Sequence, residues 1–181
     1  MTLAEYLQKM KGTTICPPRV SSSEIAWSWL GSFLGIGFIS YVNYNVFDKI
    51  DLLMIVGSFG ASAVLIYGAI KSPLAQPRNL VGGHVLSALV GVASQMALGS
   101  ELWLAAAAAV ATAIALMHAT RTLHPPGGAT ALIAVIGGDK IHKLGFMYAL
   151  FPVAGGAIIL LAIALLVNNI PKARRYPEFW Y

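Results

Sequence analysis

The chain has 181 residues, 57% of them hydrophobic and only 10% charged, with a net charge of +5 and a mean hydropathy of +0.73. Soluble domains carry about 25% charged residues and cannot hide this much apolar surface, so the composition excludes a soluble globular protein and indicates an integral membrane one. The basic residues are scattered singly, without a stripe of interleaved aromatics, which argues against nucleic acid as a partner.

Residues 1–23 lack the continuous apolar core and small-residue cleavage site of a signal peptide, and are too short and too poor in arginine for a persuasive transit peptide. Leu3, Tyr6, Leu7 and Met10 follow helical spacing, so this stretch reads as a cytoplasmic or interfacial segment: a short helix on the membrane surface or a frayed terminus. The single cysteine, Cys16, can form neither an intrachain disulfide nor a thiolate metal site alone. Pro17 and Pro18 end the segment, and the "SSSE" that follows is an N-cap signal.

A membrane span needs roughly 20 apolar residues. The first candidate covers 24–47, with Trp27, Trp29, Tyr41 and Tyr44 near its ends, where aromatic belts sit. The second covers 52–70 and is interrupted by "GSFGAS" at 57–62. The third covers 80–98, and the fourth, rich in alanine, 101–120. The fifth, 124–138, opens with His-Pro-Pro-Gly-Gly. About 15 helical residues rise only about 22 Å, short of the roughly 30 Å hydrocarbon core, so it is a half-helix or a span completed by irregular backbone. The sixth covers 144–168, and 170–181 form a basic tail. With six crossings, nine of the twelve basic residues (Lys9, Lys11, Arg19, Lys71, Arg78, Arg121, Lys172, Arg174 and Arg175) share the face of the termini, while Lys49, Lys140 and Lys143 lie opposite. The positive-inside rule then puts both termini in the cytoplasm.

Gly60, Ala61, Ser62 and Ala63 match Gly128, Ala129, Thr130 and Ala131 at an offset of 68 residues. In each copy one apolar span precedes the element and another follows. Three segments per copy is an odd number, so the copies, about 24–99 and 100–169, must face opposite ways, as in inverted-repeat transporters. The same small residues also suit close helix packing without transport.

Pro125 and Pro126 fit the first turn of a helix, whose free N–H groups Gly127 and Gly128 would leave uncovered. The backbone at 57–62, with Gly60 and the hydroxyls of Ser58 and Ser62, would do the same from the other direction, and Thr130 stands where Ser62 stands in the first copy. Two such N-termini meeting at membrane depth would bind an anion. Arg78, His84, Arg121 and His124 are the cationic candidates. Arginine keeps its charge and forks two hydrogen bonds onto an oxyanion, and Arg78 is the foremost of them; on this reading Arg78→Ala abolishes uptake. Plainer readings stand beside these: arginines that snorkel to headgroups, and His84 and His118 as core histidines bonded to carbonyls. His142 falls in a loop. Metal binding is disfavoured by ligand spacing, and no nucleophile triad, "GxSxG" or phosphate loop is present, so the reading is a non-enzyme without cofactor.

"SPLAQPRNLVGGHVLSALVG" and "HPPGGATAL", in that order, resemble the HPP family of integral membrane proteins, named for the triplet standing here at His124, Pro125 and Pro126. The resemblance covers about 24–168. It implies a transport function, and because cyanobacterial and chloroplast members are associated with nitrite transport, it implies nitrite as the leading substrate; the spacing of the residues does not distinguish nitrite from nitrate, formate or chloride. The family is described as having about four spans, fewer than the six segments counted here. The expectation is therefore an all-α polytopic membrane protein with about six hydrophobic segments in two inverted three-helix repeats containing short or broken helices. It would move a small monovalent anion across a bacterial plasma membrane as a homo-oligomer. The rival is a non-transporting membrane scaffold or accessory subunit.

Overall fold

A computed structural model describes residues 1–48 and 54–181, and every regular element among them is helical. A short α1 (Leu3–Gln8) is closed by a capping box between Thr2 and Glu5. Two helices follow: α2 (Ser22–Phe47), capped by Ser21, and α3 (Ser58–Gly68). Next come α4 (Arg78–Leu98), α5 (Leu102–Ala119) and α6 (Pro125–Ile136), then a one-turn α7 (Gly138–His142) and α8 (Ala149–Val167). Extended backbone at Phe151, just before Pro152, breaks α8 near its start. Helices α2, α4, α5 and α8 are long and apolar enough to cross a bilayer. The 12-residue α6 rises about 18 Å and α3 about 16 Å, so neither spans hydrocarbon alone. "GSFGAS", expected to interrupt a longer segment, instead starts α3 at Ser58; the beginning of that expected segment, at 52–53, lies outside the described residues.

Contacts between helix ends define the chain's path. Glu24, at the start of α2, receives Arg174 from beyond α8. Arg78, at the start of α4, donates to the Thr120 carbonyl after α5, and His124, just before α6, bonds the Leu74 carbonyl after α3. The starts of α2, α4 and α6 and the ends of α3, α5 and α8 therefore share one face. On the opposite face Asn43, near the end of α2, accepts from the Met54 and Ile55 amides ahead of α3. The six apolar helices thus alternate in direction, and the chain enters and leaves the bundle on one face.

The core is built on small residues. In lipid, helices gain little from apolar burial alone, so tight packing and interhelical hydrogen bonds hold them together. Gly31 and Gly35 of α2 form a slot for Tyr67, whose hydroxyl donates to the Leu160 carbonyl in α8. Ala105, Ala109, Ala113 and Met117 form the buried stripe of α5 at four-residue spacing. Between α4 and α6 the fit is tighter. A Cβ at Gly91 would stand 2.7 Å from Ala134 Cβ, and one at Gly127 would stand 2.7 Å from Ser87 Oγ and 2.9 Å from the Gly83 carbonyl.

Irregular backbone at depth is held by buried amides. Gln76 donates to the Ile70 and Ser72 carbonyls, and Asn168 to the Ile66 carbonyl at the end of α3. The tail folds back under this region. Buried Arg174 binds Glu24, Ser28 and Asn168, while the Tyr176 hydroxyl donates to the Ala75 carbonyl and the Glu178 amide to Gln76.

Gly91→Val should force α4 and α6 apart and cost about 1–3 kcal/mol. Gly60→Ala, which meets nothing within 4 Å, should cost nothing. Thermal unfolding in detergent decides the matter: equal midpoints for the two variants would refute the close-packing account.

Candidate functional site

The two short helices meet through a buried polar cluster. Ser58, at the first position of α3, lies 2.7 Å from Thr130 in the second turn of α6. One turn later in α3, Ser62 reaches back to His124, the N-cap of α6, at 2.9 Å. Sequence order rises in one helix as it falls in the other, so α3 and α6 run antiparallel and overlap side by side over their first turns. Their N-termini do not meet tip to tip, the geometry expected from the sequence.

His84 of α4 completes the cluster. Its Nε2 lies 2.6 Å from Ser62 Oγ and its Nδ1 lies 2.7 Å from Thr130 Oγ1. Ser62 therefore stands between the Nε2 atoms of both imidazoles. His124 turns its Nδ1 to the Leu74 carbonyl at 2.8 Å. A carbonyl can only accept, so that nitrogen carries a proton. Phe59 packs edge-on against His84, and the Tyr148 hydroxyl donates to the Thr130 carbonyl. Ser58, Ser62, His84, His124 and Thr130 are all essentially buried, and among the described residues no buried side-chain nitrogen or oxygen lacks a partner. None of the recorded partners of these five side chains carries a permanent charge.

Five of the ten residues singled out in the sequence thus converge: Ser58, Ser62, His84, His124 and Thr130. The rest lie apart from this cluster. Arg78 is half-buried and clamps the Thr120 carbonyl at 2.7 Å, while its neighbour Asn79 holds the Leu123 carbonyl. Together they fix the loop that delivers His124. Arg121 is exposed, in the left-handed region at φ 57°, because α5 ends at Ala119; His118 is exposed as well. The Gly127 amide is already bonded to the His124 carbonyl, and the residue packs on α4. Gly128 faces an apolar groove lined by Val110, Ile114 and Leu132, and Gly60 is exposed. His142, expected in a loop, ends α7 and bonds the Val135 carbonyl.

Sequence reasoning missed Tyr148 and the Leu74 carbonyl, neither of which carries a local signal. Among the described residues no group of three His, Cys, Asp or Glu side chains is placed to hold a metal ion. On the face shared by the termini, a cavity of about 450 Å³ is lined by Glu24, Lys71, Ser72, Ala173 and Arg174.

These features define a polytopic helical membrane protein in which two short helices cross at a buried histidine–hydroxyl cluster. The HPP transmembrane region matches residues 17–177, and the chain belongs to the HPP family. It is similar to two transmembrane proteins of Dictyostelium discoideum, 48% identical over 98% of the chain and 44% identical over all of it. The chain spans 58% and 65% of the lengths of these curated relatives. No solved structure matches it.

Ser62→Ala should leave two imidazole nitrogens without a shared partner, and Thr130→Val should strip His84 Nδ1; each should cost about 1–3 kcal/mol. Because both act on one network, the double variant should lose less than the sum. Unfolding of all three variants in detergent is the check, and a Ser62→Ala protein as stable as its parent would show that the cluster is not a bonded unit.

Proposed function

We propose that the protein is a transporter or channel for a small monovalent anion, with nitrite as the leading substrate, and that the ion passes at the α3–α6 junction. The observation that carries this reading is the pair of short helices meeting through buried polar side chains. In a protein whose role is only packing, membrane helices gain nothing by stopping short, whereas interrupted helices are how transporters bring backbone and polar side chains to the bilayer midplane. The long–short–long order of α2, α3, α4 and again of α5, α6, α8 supports two inverted repeats. So does His84, which is held on its two nitrogens by Ser62 and Thr130, the residues that correspond at the 68-residue offset. Lys71 at the cavity on the tail face would draw anions toward the bundle. Nitrite itself rests on the association of other family members with that ion.

The protein works on this reading by binding and passage, without covalent chemistry or a cofactor, and as a homo-oligomer. Ala107, Ala111, Ala115 and Ala119 form an exposed stripe along α5 at four-residue spacing, which suits close contact with a second helix. The termini are proposed to face the cytoplasm, on the positive-inside argument. A bacterial plasma membrane gains no support from the relatives, both of which come from a eukaryote. One observation favours the rival reading of a non-transporting scaffold: the cluster is buried and its side chains are bonded to one another.

Nitrite flux into liposomes containing only this protein separates the two readings. We expect flux above the protein-free rate, reduced at least tenfold by His124→Ala with insertion confirmed. No flux from the parent leaves the scaffold. For topology, Arg175→Cys in a Cys16→Ser background gives an exposed probe, whereas Arg174 is too buried to label. Modification from the outside alone would overturn the proposed orientation.

A further inference from the structure

An anion leaving water for the junction needs a positive charge to offset its lost hydration. Among the described residues no fixed charge bonds to the cluster. Among the described residues the one side chain that is both buried and permanently charged is Arg174, which is already bound to Glu24. Arg78 serves the Thr120 carbonyl. The titratable groups facing the cluster are His84 from α4, His124 from the N-cap of α6, and Tyr148, whose hydroxyl is turned to the Thr130 carbonyl. From α3 come only hydroxyls and the Phe59 ring, and from the loop before α4 only a carbonyl.

The hydrogen-bond chain from His124 to Thr130 has two patterns that differ by one proton, and in the second the Ser58 hydroxyl proton turns away from Thr130. His124 Nδ1–H donates to Leu74 in both. In the neutral pattern Ser62 donates to His124 Nε2, His84 Nε2–H donates to Ser62, and Thr130 donates to His84 Nδ1, with the Ser58 hydroxyl turned to Thr130. Four protons then sit on these four side chains: one each on His124, Ser62, His84 and Thr130. Add one proton to His124 Nε2 and every link reverses. His124 donates to Ser62, Ser62 to His84 Nε2, His84 Nδ1–H to Thr130, and Thr130 to Ser58 at 2.7 Å. The count is now five, with the extra charge on His124. No heavy atom has to move, because rotation of the Ser62, Thr130 and Ser58 hydroxyls and one change of imidazole tautomer suffice.

We propose that Ser62, His84, His124 and Thr130 form a one-proton relay that supplies the missing cation, so that each anion crosses the junction together with one proton. This inference rests on the transport reading and adds its coupling. Imidazole suits the role because its ordinary titration lies near physiological pH. The shared Ser62 hydroxyl makes the two rings a single site: it has one proton to give, so the neutral rings must adopt opposite tautomers.

Two measurements test it. In liposomes with a trapped pH indicator and a potential set by potassium and valinomycin, nitrite uptake above the protein-free rate should carry one proton per ion. It should rise with external acidity and ignore the potential. Ser62→Ala should lower this uptake at least tenfold. Nitrite flux that follows the potential and ignores the pH gradient overturns the coupling and leaves the transport reading intact, whereas absence of flux in the parent sinks both. The second measurement needs no variant. In the parent protein labelled with ¹⁵N-histidine, the neutral rings should show Nδ1–H at His124 and Nε2–H at His84, and on acidification His84 should change tautomer in the same step that loads His124. Identical tautomers in the neutral state, or a His84 unmoved by that step, overturn the relay.

Discussion

The structure turns on one hydroxyl. Ser62 has a single proton and two lone pairs, and it lies within 3 Å of two imidazole nitrogens in a place water does not reach. Inside a bilayer every polar group must find its partner within the protein, so bringing one serine to that position commits much else. His84 must come from α4 and be held on its far side by Thr130. His124 must sit at the N-cap of α6 and be held by a carbonyl from the loop after α3. That loop in turn needs its own carbonyls satisfied, which Gln76 and the tail residue Tyr176 provide, while the Glu178 amide holds the Gln76 side-chain oxygen.

The short helices follow from the same constraint. An unbroken α6 would bury its N-terminal N–H groups in hydrogen bonds to the preceding turn and carry His124 round the helix, away from Ser62. Pro125 and Pro126 prevent this, because proline lacks the donor a helix interior needs but fits the first turn. Packing then replaces hydrophobic drive. Gly91 and Gly127 let α4 and α6 approach until His84 reaches Thr130, and Gly83 leaves room for Thr122 and His124; a Cβ at any of the three would stand under 3 Å from a neighbouring atom.

The helices were largely legible in the sequence because composition and segment length report them directly. Half of the candidate site was legible too. Ser62 and Thr130 stood out as corresponding positions of the internal match, Ser58 as a hydroxyl at a helix start, and His84 and His124 as cationic side chains beside apolar segments. What the sequence did not reveal is pairing. Arg78 looked like an anion ligand by its chemistry, but a guanidinium that can fork onto an oxyanion can as well hold a backbone carbonyl, and local sequence does not say which is near. The glycines suggested exposed N–H groups, yet a residue without a side chain also lets another helix come close, as Gly127 does. The buried amides Asn43, Gln76 and Asn168 carried no signal, since each acts on a carbonyl or amide that only the finished fold places beside it.

A cluster that is fully bonded without a ligand can receive one only by giving up bonds. In the neutral pattern the donors near an oxyanion are the hydroxyls of Ser62 and Thr130 and the Nε2 proton of His84, and each is already committed within the chain. Loading a proton on His124 adds one donor to the same set of acceptors, and the one left over is the Ser58 hydroxyl. On the proposed coupling, anion and proton favour each other's binding, and by linkage each raises the affinity of the other by the same factor. A fixed arginine in the same place would bind the anion in every state and hold it there. A charge that arrives with the ion and can leave with it permits release on the far side, which is what passage requires.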